Sequence, residues 1–229
     1  DSGVPLEIIL RGTPEDYQFE KLSHGIGRLY DLPIWIDDRA NISIGMIETQ
    51  ARKFKKQNGI ELIIIDYLQL IKSKVAGNRE SEISDISRRL KQLAKELDLP
   101  IIALAQLSRE VERRPDKIPQ LSDLRESGSL EQDADIIAFL FRFEYYFHDN
   151  MDVEIGKKHY PPKNLAELII AKYRNGSTGS IPLKFYGYKM LFTDYEDVFD
   201  EHEEQKSLPE YNPTITSISD NNEDEVPPF

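Results

Sequence analysis

The stretch LIIIDYLQL, residues 62–70, decides the fold of this chain of 229 residues. Its first part is a continuous run of apolar and β-branched residues, which predicts a central strand over residues 62–67 that is buried on both faces. The run ends at Asp66. Because ligands bind beyond the carboxyl ends of the strands in an open parallel sheet, this carboxylate is a candidate site residue.

The elements that flank this strand alternate between helix and strand. Apolar residues recur at helical spacing over residues 80–97, and Pro100 introduces the next strand. Another helix begins with Thr13 as its N-cap and Pro14 at its first helical position. The predicted elements are helices from residue 14, over 46–57 and over 80–97, and strands over 33–37, 62–67 and 101–107. This order predicts parallel βαβ units.

The last third of the domain has a different pattern. Strands are predicted over residues 135–141, 166–174, 181–185 and 190–192, with a turn at 175–179 that predicts an antiparallel hairpin. Residues 143–163 have little pattern and predict an exposed loop, in which the aromatic cluster Tyr145, Tyr146 and Phe147 has a packing role. The fold class predicted is α/β, with a mostly parallel sheet, flanking helices and a C-terminal antiparallel hairpin.

The net charge of −12 is unevenly distributed. From Tyr195 onward the chain has eleven acidic residues and one basic residue, Lys206, so residues 1–194 carry only −2. A nearly neutral domain can still present basic loops to phosphates. We therefore predict one domain over residues 1–194 and an acidic, disordered tail over residues 195–229.

The composition also excludes several kinds of site. No run approaches the about 18 apolar residues of a membrane span, so no membrane contact is predicted. The chain has no cysteine, which excludes disulfides and thiolate metal sites and is typical of the reducing cytoplasm. The four histidines have no metal-ligand spacing.

A dense polar stretch, SDLRESGSLEQDAD at residues 122–135, precedes the apolar run 136–141. A buried strand rarely needs such a polar approach, which indicates contacts outside the core. Together with LIIIDYLQL and IIAKYRNGSTG at 169–179, it closely resembles the DnaB-type replicative DNA helicases, which are RecA-like hexameric motors. The resemblance covers residues 3–193 and implies a RecA-like P-loop NTPase core.

The resemblance implies an activity and its partners. These are ATP-driven, Mg²⁺-dependent translocation on single-stranded DNA and duplex unwinding at the replication fork. A homo-hexamer, a primase and a helicase loader are implied as protein partners, in the cytoplasm near the nucleoid.

Four residues carry the implied ATP chemistry. Asp66 would hold Mg²⁺ through water, and Gln106, at the same level on the next strand, would sense the γ-phosphate. Lys172 and Arg174 project from one face of their strand, because they are two residues apart. The resemblance implies that they reach the nucleotide of a neighbouring subunit, with Arg174 as the arginine finger. From the residues alone, a solvated cation pair is an equally good interpretation of Lys172 and Arg174, and a Gln106 that only satisfies a local backbone group is the favoured one.

The resemblance also implies a DNA-contacting loop within the polar stretch. Arg125 supplies charge, Glu126 positions an arginine, and Gly128 lets the backbone approach a phosphate. The basic stretch KSKVAGNR is a second candidate, with Lys72, Lys74 and Arg79 as its cations, although a solvated turn is an equal alternative.

The chain is expected to lack three parts of the helicase pattern: the phosphate loop, the family's catalytic glutamate and the N-terminal domain. No GxxxxGK[ST] phosphate loop occurs in the 229 residues. We therefore expect a fragment of a larger gene product that does not hydrolyse ATP alone. The alternatives are a RecA-type recombinase, which the two polar stretches disfavour, and a catalytically dead module that binds or regulates rings. Arg109, Arg113 and Arg114 are expected to serve subunit contacts or electrostatics.

Overall fold

The computed structural model describes residues 2–73, 75, 78–147 and 152–195, without the side chains of residues 125–127. The chain divides into two units, residues 1–195 and 196–229. The predicted acidic tail, apart from Tyr195, lies outside the described residues. Across the part of the chain that is described, no helix is long and apolar enough to cross a membrane.

Helices and strands alternate in the first half of the described chain, and strands dominate the second half. The α-helices are α1 Leu6–Arg11, α2 Asp16–Tyr30, α3 Ile44–Asn58, α4 Arg79–Leu97, α5 Gly128–Asp133 and α6 Phe143–Tyr146. The strands are β1 Ile63–Ile65, β2 Ile101–Ala103, β3 Ile136–Arg142, β4 Val153–Ile155, β5 Lys158–Tyr160, β6 Leu165–Tyr173, β7 Gly179–Tyr186 and β8 Leu191–Asp194. Short 3-10 helices cover Leu68–Leu70, Arg109–Arg113, Leu121–Ser127 and Gly187–Lys189.

The helices predicted over residues 46–57 and 80–97 are confirmed. The Ser43 side chain caps the N-terminus of α3. Gly59, which follows the last residue of this helix, adopts the left-handed conformation with φ of 65°. The Asn78 side chain caps α4 by accepting a hydrogen bond from the backbone N–H of Ser81. Both helices contribute to one core cluster, formed by the buried residues Ile44, Leu68, Ile71, Ile83, Ile86 and Leu90. Ile65 and Ile101 of the parallel strands pack against it.

The start of α2 was predicted wrongly. Its N-cap is Glu15 rather than Thr13, and Glu15 and Gln18 form a capping box. Because this box satisfies the first backbone N–H groups two residues later, Pro14 lies before the helix. The apolar stripe of α2 is exposed, with Phe19 and Ile26 each 64% exposed. The helix α1 was not predicted.

The sheet prediction is partly wrong. β1 and β2 pair in parallel, as predicted, with Ile65 opposite Ala103. The larger sheet has the order β3-β6-β7-β8, and all its pairings are antiparallel. The described strands are therefore mainly antiparallel, because short turns join β6 to β7 and β7 to β8. The predicted strand at 33–37 is not found: these residues have no regular secondary structure and belong to no ladder among the described strands.

The apolar run of β1 is half-buried on one face and exposed on the other. Ile64 is 63% exposed and Ile102 on β2 is 50% exposed. The prediction of burial on both faces was wrong because a run of apolar residues does not reveal which face a neighbouring layer covers. Here α3 and α4 contribute to the cluster that covers one face, and the described residues leave Ile64 and Ile102 exposed.

The segment predicted as an exposed loop, residues 143–163, contains α6 and the hairpin β4–β5. Gly156, with φ of 66°, lies in the tight turn of this hairpin. Tyr146 and Phe147 pack against a core cluster that includes Phe141, as predicted for the aromatic group. Tyr145 is 71% exposed.

Candidate functional site

The residues Asp66 and Gln106 follow the carboxyl ends of the two parallel strands. The N–H of Leu104 donates to the carbonyl of Ile65 at 2.9 Å, and the N–H of Leu68 donates to the carbonyl of Leu104 at 2.9 Å. These bonds keep the segments that follow β1 and β2 paired beyond the strand ends. Asp66 and Gln106 therefore lie at one rim of the sheet. Both are exposed there. The Asp66–Tyr67 peptide bond is cis.

The side chain of Gln69 links the segment after β1 to the segment after β2 at this rim. Its Nε2 donates to the carbonyl of Gln106 at 3.0 Å. Its Oε1 accepts from the backbone N–H of Gln106 at 3.1 Å. One amide side chain therefore satisfies both backbone groups of Gln106.

Arg79 is held by its own chain. Its guanidinium donates to the carbonyl of Gln69 at 2.7 Å and pairs with Glu82 on the next turn of α4. The guanidinium also donates to the carbonyl of Ile71 at 3.4 Å. In this conformation, Arg79 uses its donors within its own chain, on the carbonyls of Gln69 and Ile71 and on Glu82.

Lys72 and Ser73, at the start of the basic stretch KSKVAGNR, are fixed by backbone and side-chain bonds. Lys72 forms a parallel bridge with Ser43, and its side chain is exposed. The Ser73 hydroxyl donates to the buried carboxylate of Asp85 at 2.7 Å. Lys74, another predicted DNA contact, lies outside the described residues.

The polar stretch 122–135 forms the 3-10 helix Leu121–Ser127, followed directly by α5. Leu124 is buried and belongs to the core cluster that contains Ile137 and Phe139 of β3. Gly128 is exposed, and an added Cβ there would meet no heavy atom within 4 Å, so open space faces its backbone. The side chains of Arg125 and Glu126 lie outside the description.

An ion pair anchors this stretch to the segment that follows Gln106. Asp123 is buried, and its carboxylate accepts from Arg114 at 2.9 Å and 2.6 Å. The carbonyl of Asp123 accepts from the N–H of Ser108 at 2.9 Å. Burial raises the pKa of Asp123, but the hydrogen bonds from Arg114 and from the N–H of Gln120 outweigh this effect and hold the pKa below its ordinary value.

Lys172 and Arg174 lie together at the C-terminal end of α5. The Lys172 ammonium donates to the carbonyl of Glu131, and Arg174 donates to the carbonyl of Gln132 at 2.9 Å. Arg174 also lies 3.6 Å from Asp135. Cations are favourable at a helix C-terminus because its last carbonyls carry partial negative charge. The pair therefore contacts its own chain here, while the Arg174 side chain remains 48% exposed.

Asp135 is the carboxylate nearest this cation pair. The hydrogen bond from Lys91 is the largest cause that lowers its pKa, and the positive charges of Arg174 and Lys95 contribute further. Burial opposes these effects. Asp135 is therefore held ionised between α4 and the end of β6.

Sequence reasoning missed two of these arrangements. Arg114, expected at a subunit contact or as a general charge, instead pairs with Asp123 inside the chain. The pairing depends on a turn that no local spacing reveals. Gln69 lies in the stretch that decides the fold, but its side-chain role becomes visible only when the chain after β1 is placed beside Gln106.

Comparisons with known proteins cover the whole described unit. A family model described as the DnaB-like helicase C terminal domain matches residues 1–194. The replicative DNA helicase DnaB of Geobacillus stearothermophilus is 47% identical over 191 residues, which are 82% of this chain and 39% of that protein. The replicative DNA helicase DnaC of Bacillus subtilis is 46% identical over 203 residues, with 88% and 42% covered. The chain thus spans about two fifths of the length of these curated relatives.

Two solved structures are similar in fold and sequence. One is described as an ATPase domain and matches with a TM-score of 0.75 and 42% identity, over 85% of this chain and 67% of that one. A DnaB-like replicative helicase, described with its interactions with primase, matches with a TM-score of 0.74 and 42% identity, over 85% of this chain and 46% of that one.

Proposed function

This chain belongs to the family of DnaB-like helicase C-terminal domains, and from that membership we propose that it is the ATP-driven, DNA-translocating part of a replicative helicase. The proposal includes a RecA-like motor core and unwinding of duplex DNA at the replication fork. The observation that carries it is the shared rim, where Asp66 and Gln106 follow neighbouring parallel strands and the Gln69 side chain bonds the backbone of Gln106.

Asp66 is the proposed anchor for Mg²⁺, through water. Magnesium in ATPase sites is held by one or two carboxylates and by the nucleotide's phosphates, and keeps several waters. Asp66 fits this requirement, because it is a single carboxylate exposed at the rim. The described residues contain no group of three or more His, Cys, Asp or Glu side chains that could hold a metal ion by themselves. Bound Mg²⁺–ATP would supply charge neutralisation on the phosphates.

Gln106 is the proposed γ-phosphate sensor. Its amide can donate to a phosphate oxygen and accept from the attacking water, because a carboxamide has both kinds of group. Ser108, two residues after Gln106, donates its backbone N–H to the carbonyl of Asp123. A movement of Gln106 would therefore displace the stretch 122–135.

Lys172 and Arg174 are proposed to act on the nucleotide of a neighbouring subunit, with Arg174 as the arginine finger. In GTPases, such a residue supplied by a partner protein raises the rate by about 10³ to 10⁵. To do this, both side chains would leave the carbonyls of α5 that they contact in the single chain. This role requires a ring, which we propose is a homo-hexamer.

DNA is proposed to contact two loops through phosphates. One loop contributes Arg125, Glu126 and Gly128, and the other contributes Lys72 and Lys74. Arg79 was predicted as a direct contact of the second loop, and its bonds to Gln69 and Ile71 favour a supporting role at the base of that loop. Phosphate-driven contact predicts binding that is independent of sequence and weakens with salt.

The partners and activity of the complete protein are part of the proposal. A primase, a helicase loader and a cytoplasmic location near the nucleoid follow from the family. The similar structure described with primase supports the first of these. We also propose that this chain alone does not hydrolyse ATP, and ATP turnover that is abolished by changing Asp66 in the isolated chain would contradict this.

A chimaera tests the proposed motor function. Residues 1–194 would replace the matching segment of the Geobacillus stearothermophilus helicase, and ATP hydrolysis would be measured with and without single-stranded DNA. Asp66→Ala should lower kcat on the order of 10² to 10³-fold, because it removes an anchor of the metal. The exposed carboxylate Glu61 provides the matched control, and Glu61→Gln should leave the rate within about twofold. Equal rates for the chimaera and its Asp66→Ala variant would contradict the proposal.

A further inference from the structure

Gln69 makes contacts of an unusual kind for a side chain beside a sheet. Its carboxamide donates to the carbonyl of Gln106 at 3.0 Å and accepts from the N–H of the same residue at 3.1 Å. Neighbouring strands offer each other the same pair of groups, an N–H donor and a carbonyl acceptor. The side chain therefore does what a strand backbone would do one step further along the ladder.

The backbone cannot make this step itself. After Asp66 the chain turns into the 3-10 helix Leu68–Leu70, and the bond from Leu68 to the carbonyl of Leu104 is the last backbone link of the parallel pair in the described chain. Gln106 lies two residues beyond Leu104. The side chain of Gln69 thus continues the pairing where the backbone has departed.

Gln69 is itself held on its other side. Arg79 donates to the backbone carbonyl of Gln69 at 2.7 Å, and Leu68 and Ile71 of the same turn are each 2% exposed, whereas Leu70 is 57% exposed. The backbone of Gln69 is therefore held in place, and its half-buried side chain extends from it to Gln106. Arg79 is the first residue of α4, so the contacts run from Gln106 through Gln69 to the start of that helix.

We propose that Gln69 is a positioning residue. It sets the place of the Gln106 backbone, and so of the Gln106 side chain, relative to Asp66, and through Arg79 it connects this position to the N-terminus of α4. The inference rests on the proposed role of Gln106 as the γ-phosphate sensor.

Two substitutions separate hydrogen bonding from side-chain size. Gln69→Met keeps the length of the side chain and removes both hydrogen bonds. Gln69→Glu keeps the acceptor but places a second oxygen against the carbonyl of Gln106. A protonated carboxyl again offers one donor and one acceptor, so the Glu variant should recover function as pH falls toward the carboxyl pKa. The exposed Gln57 on α3 provides the matched control, Gln57→Glu.

The first measurement is hydrogen exchange of the Gln106 amide in this chain. With Gln69→Met it should be faster by about tenfold, because an amide bonded to Gln69 becomes open to solvent. Amides of β6 and β7 should exchange as before. An unchanged rate at Gln106 would overturn the structural part of the inference, whatever the ATPase assay shows.

The second measurement is ATP hydrolysis by the chimaera. Gln69→Met should lower kcat by about tenfold with the KM for ATP within about twofold, because a misplaced sensor affects the transition state more than binding. Gln69→Glu should be impaired at pH 8 and gain on the parent as pH falls to 6, whereas Gln57→Glu should show no such trend. An active chimaera in which both Gln69 variants match the parent at every pH would overturn the inference. A chimaera that retains Gln69 but lacks ATPase would instead contradict the proposed motor function, and the Gln106 exchange rate would still decide whether Gln69 positions that residue.

Discussion

Arg114 and Asp123 form the most buried ion pair of the described residues near the predicted DNA loop. The Asp123 side chain is 4% exposed and that of Arg114 is 27% exposed. A buried carboxylate that loses its partner keeps the cost of desolvation without the compensating hydrogen bonds. The pair therefore holds the residues before Arg125 against the segment that follows Gln106.

Replacing Arg114 tests this anchor. Arg114→Ala should lower the free energy of unfolding by about 2 kcal/mol, because it leaves a buried carboxylate unpaired. The measurement is urea unfolding of the chain. Arg113 offers the control, since its side chain is 78% exposed and, within the described part of the chain, pairs with the exposed Glu110. Arg113→Ala should change stability by less than about 0.5 kcal/mol, and equal losses for the two variants would contradict the assignment.

The lowered pKa of Asp123 predicts a dependence of stability on pH. A carboxyl whose folded pKa lies below its unfolded value, about 3.9, stabilises the fold above that value. This stabilisation is lost as pH falls through the folded pKa. The stability difference between the parent chain and Asp123→Asn should therefore be largest near pH 7 and should shrink below pH 4, as measured by urea unfolding at each pH. A difference that stays constant down to pH 3 would be inconsistent with this ion pair.

Single residues differ in how well the sequence reveals their places. Asp66 and Gln106 were predicted to share one rim, because strand ends can be read from apolar runs and parallel strands end at the same edge. Gln69 and Arg114 were not assigned their partners. Their bonds depend on the path of the chain after a strand, and that path follows from packing rather than from local spacing.

At the scale of elements, the N-terminus of α4 is stabilised by its N-cap residue, Asn78. The Asn78 side chain accepts from the N–H and from the hydroxyl of Ser81, both at 3.0 Å. Asn78→Ala should lower the free energy of unfolding by about 1 kcal/mol, because the first turn loses its cap. Asn78→Ser keeps a capping oxygen and should lower the free energy of unfolding by only about a few tenths of a kcal/mol, because Ser and Asn are similarly good N-caps. Urea unfolding in which both variants lose the same stability would contradict the capping role.

Element prediction succeeded where periodicity and caps agreed. In α3 and α4 a polar cap precedes an amphipathic run, and the observed helices match the predictions within about two residues. In α2 the choice of cap failed, because Thr13-Pro14 and the Glu15–Gln18 box compete over three positions. The hairpin β4–β5 was missed because its strands are three residues each and too short to show alternation.

At the scale of the whole described unit, the sheet differs from the prediction more than the helices do. Apolar content predicted each strand of the larger sheet, but the direction of pairing depended on connections. The run from β3 to β6 is interrupted by α6 and a hairpin, and it returns antiparallel. Burial was also misjudged, since the apolar faces of β1 and β2 remain partly exposed. Which face is covered depends on neighbouring layers, and strand sequence alone does not determine it.

The proposed motor divides one ATP site between two subunits. Asp66 and Gln106 would contribute from one subunit, and Lys172 and Arg174 from the next. Each single chain carries both halves, at the rim of β1–β2 and at the end of β6. A subunit that lacks one half can therefore still supply the other half to its neighbour.

Mixing two inactive chimaeras tests this claim most directly. Asp66→Ala and Arg174→Ala would be prepared separately, mixed in equal amounts, reassembled, and assayed for ATP hydrolysis with single-stranded DNA. Each variant alone should be inactive, whereas the mixture should regain activity, since about a quarter of its head-to-tail interfaces join an intact Asp66 to an intact Arg174. A mixture as inactive as its components, or an Arg174→Ala variant with the full parental rate, would contradict the shared site.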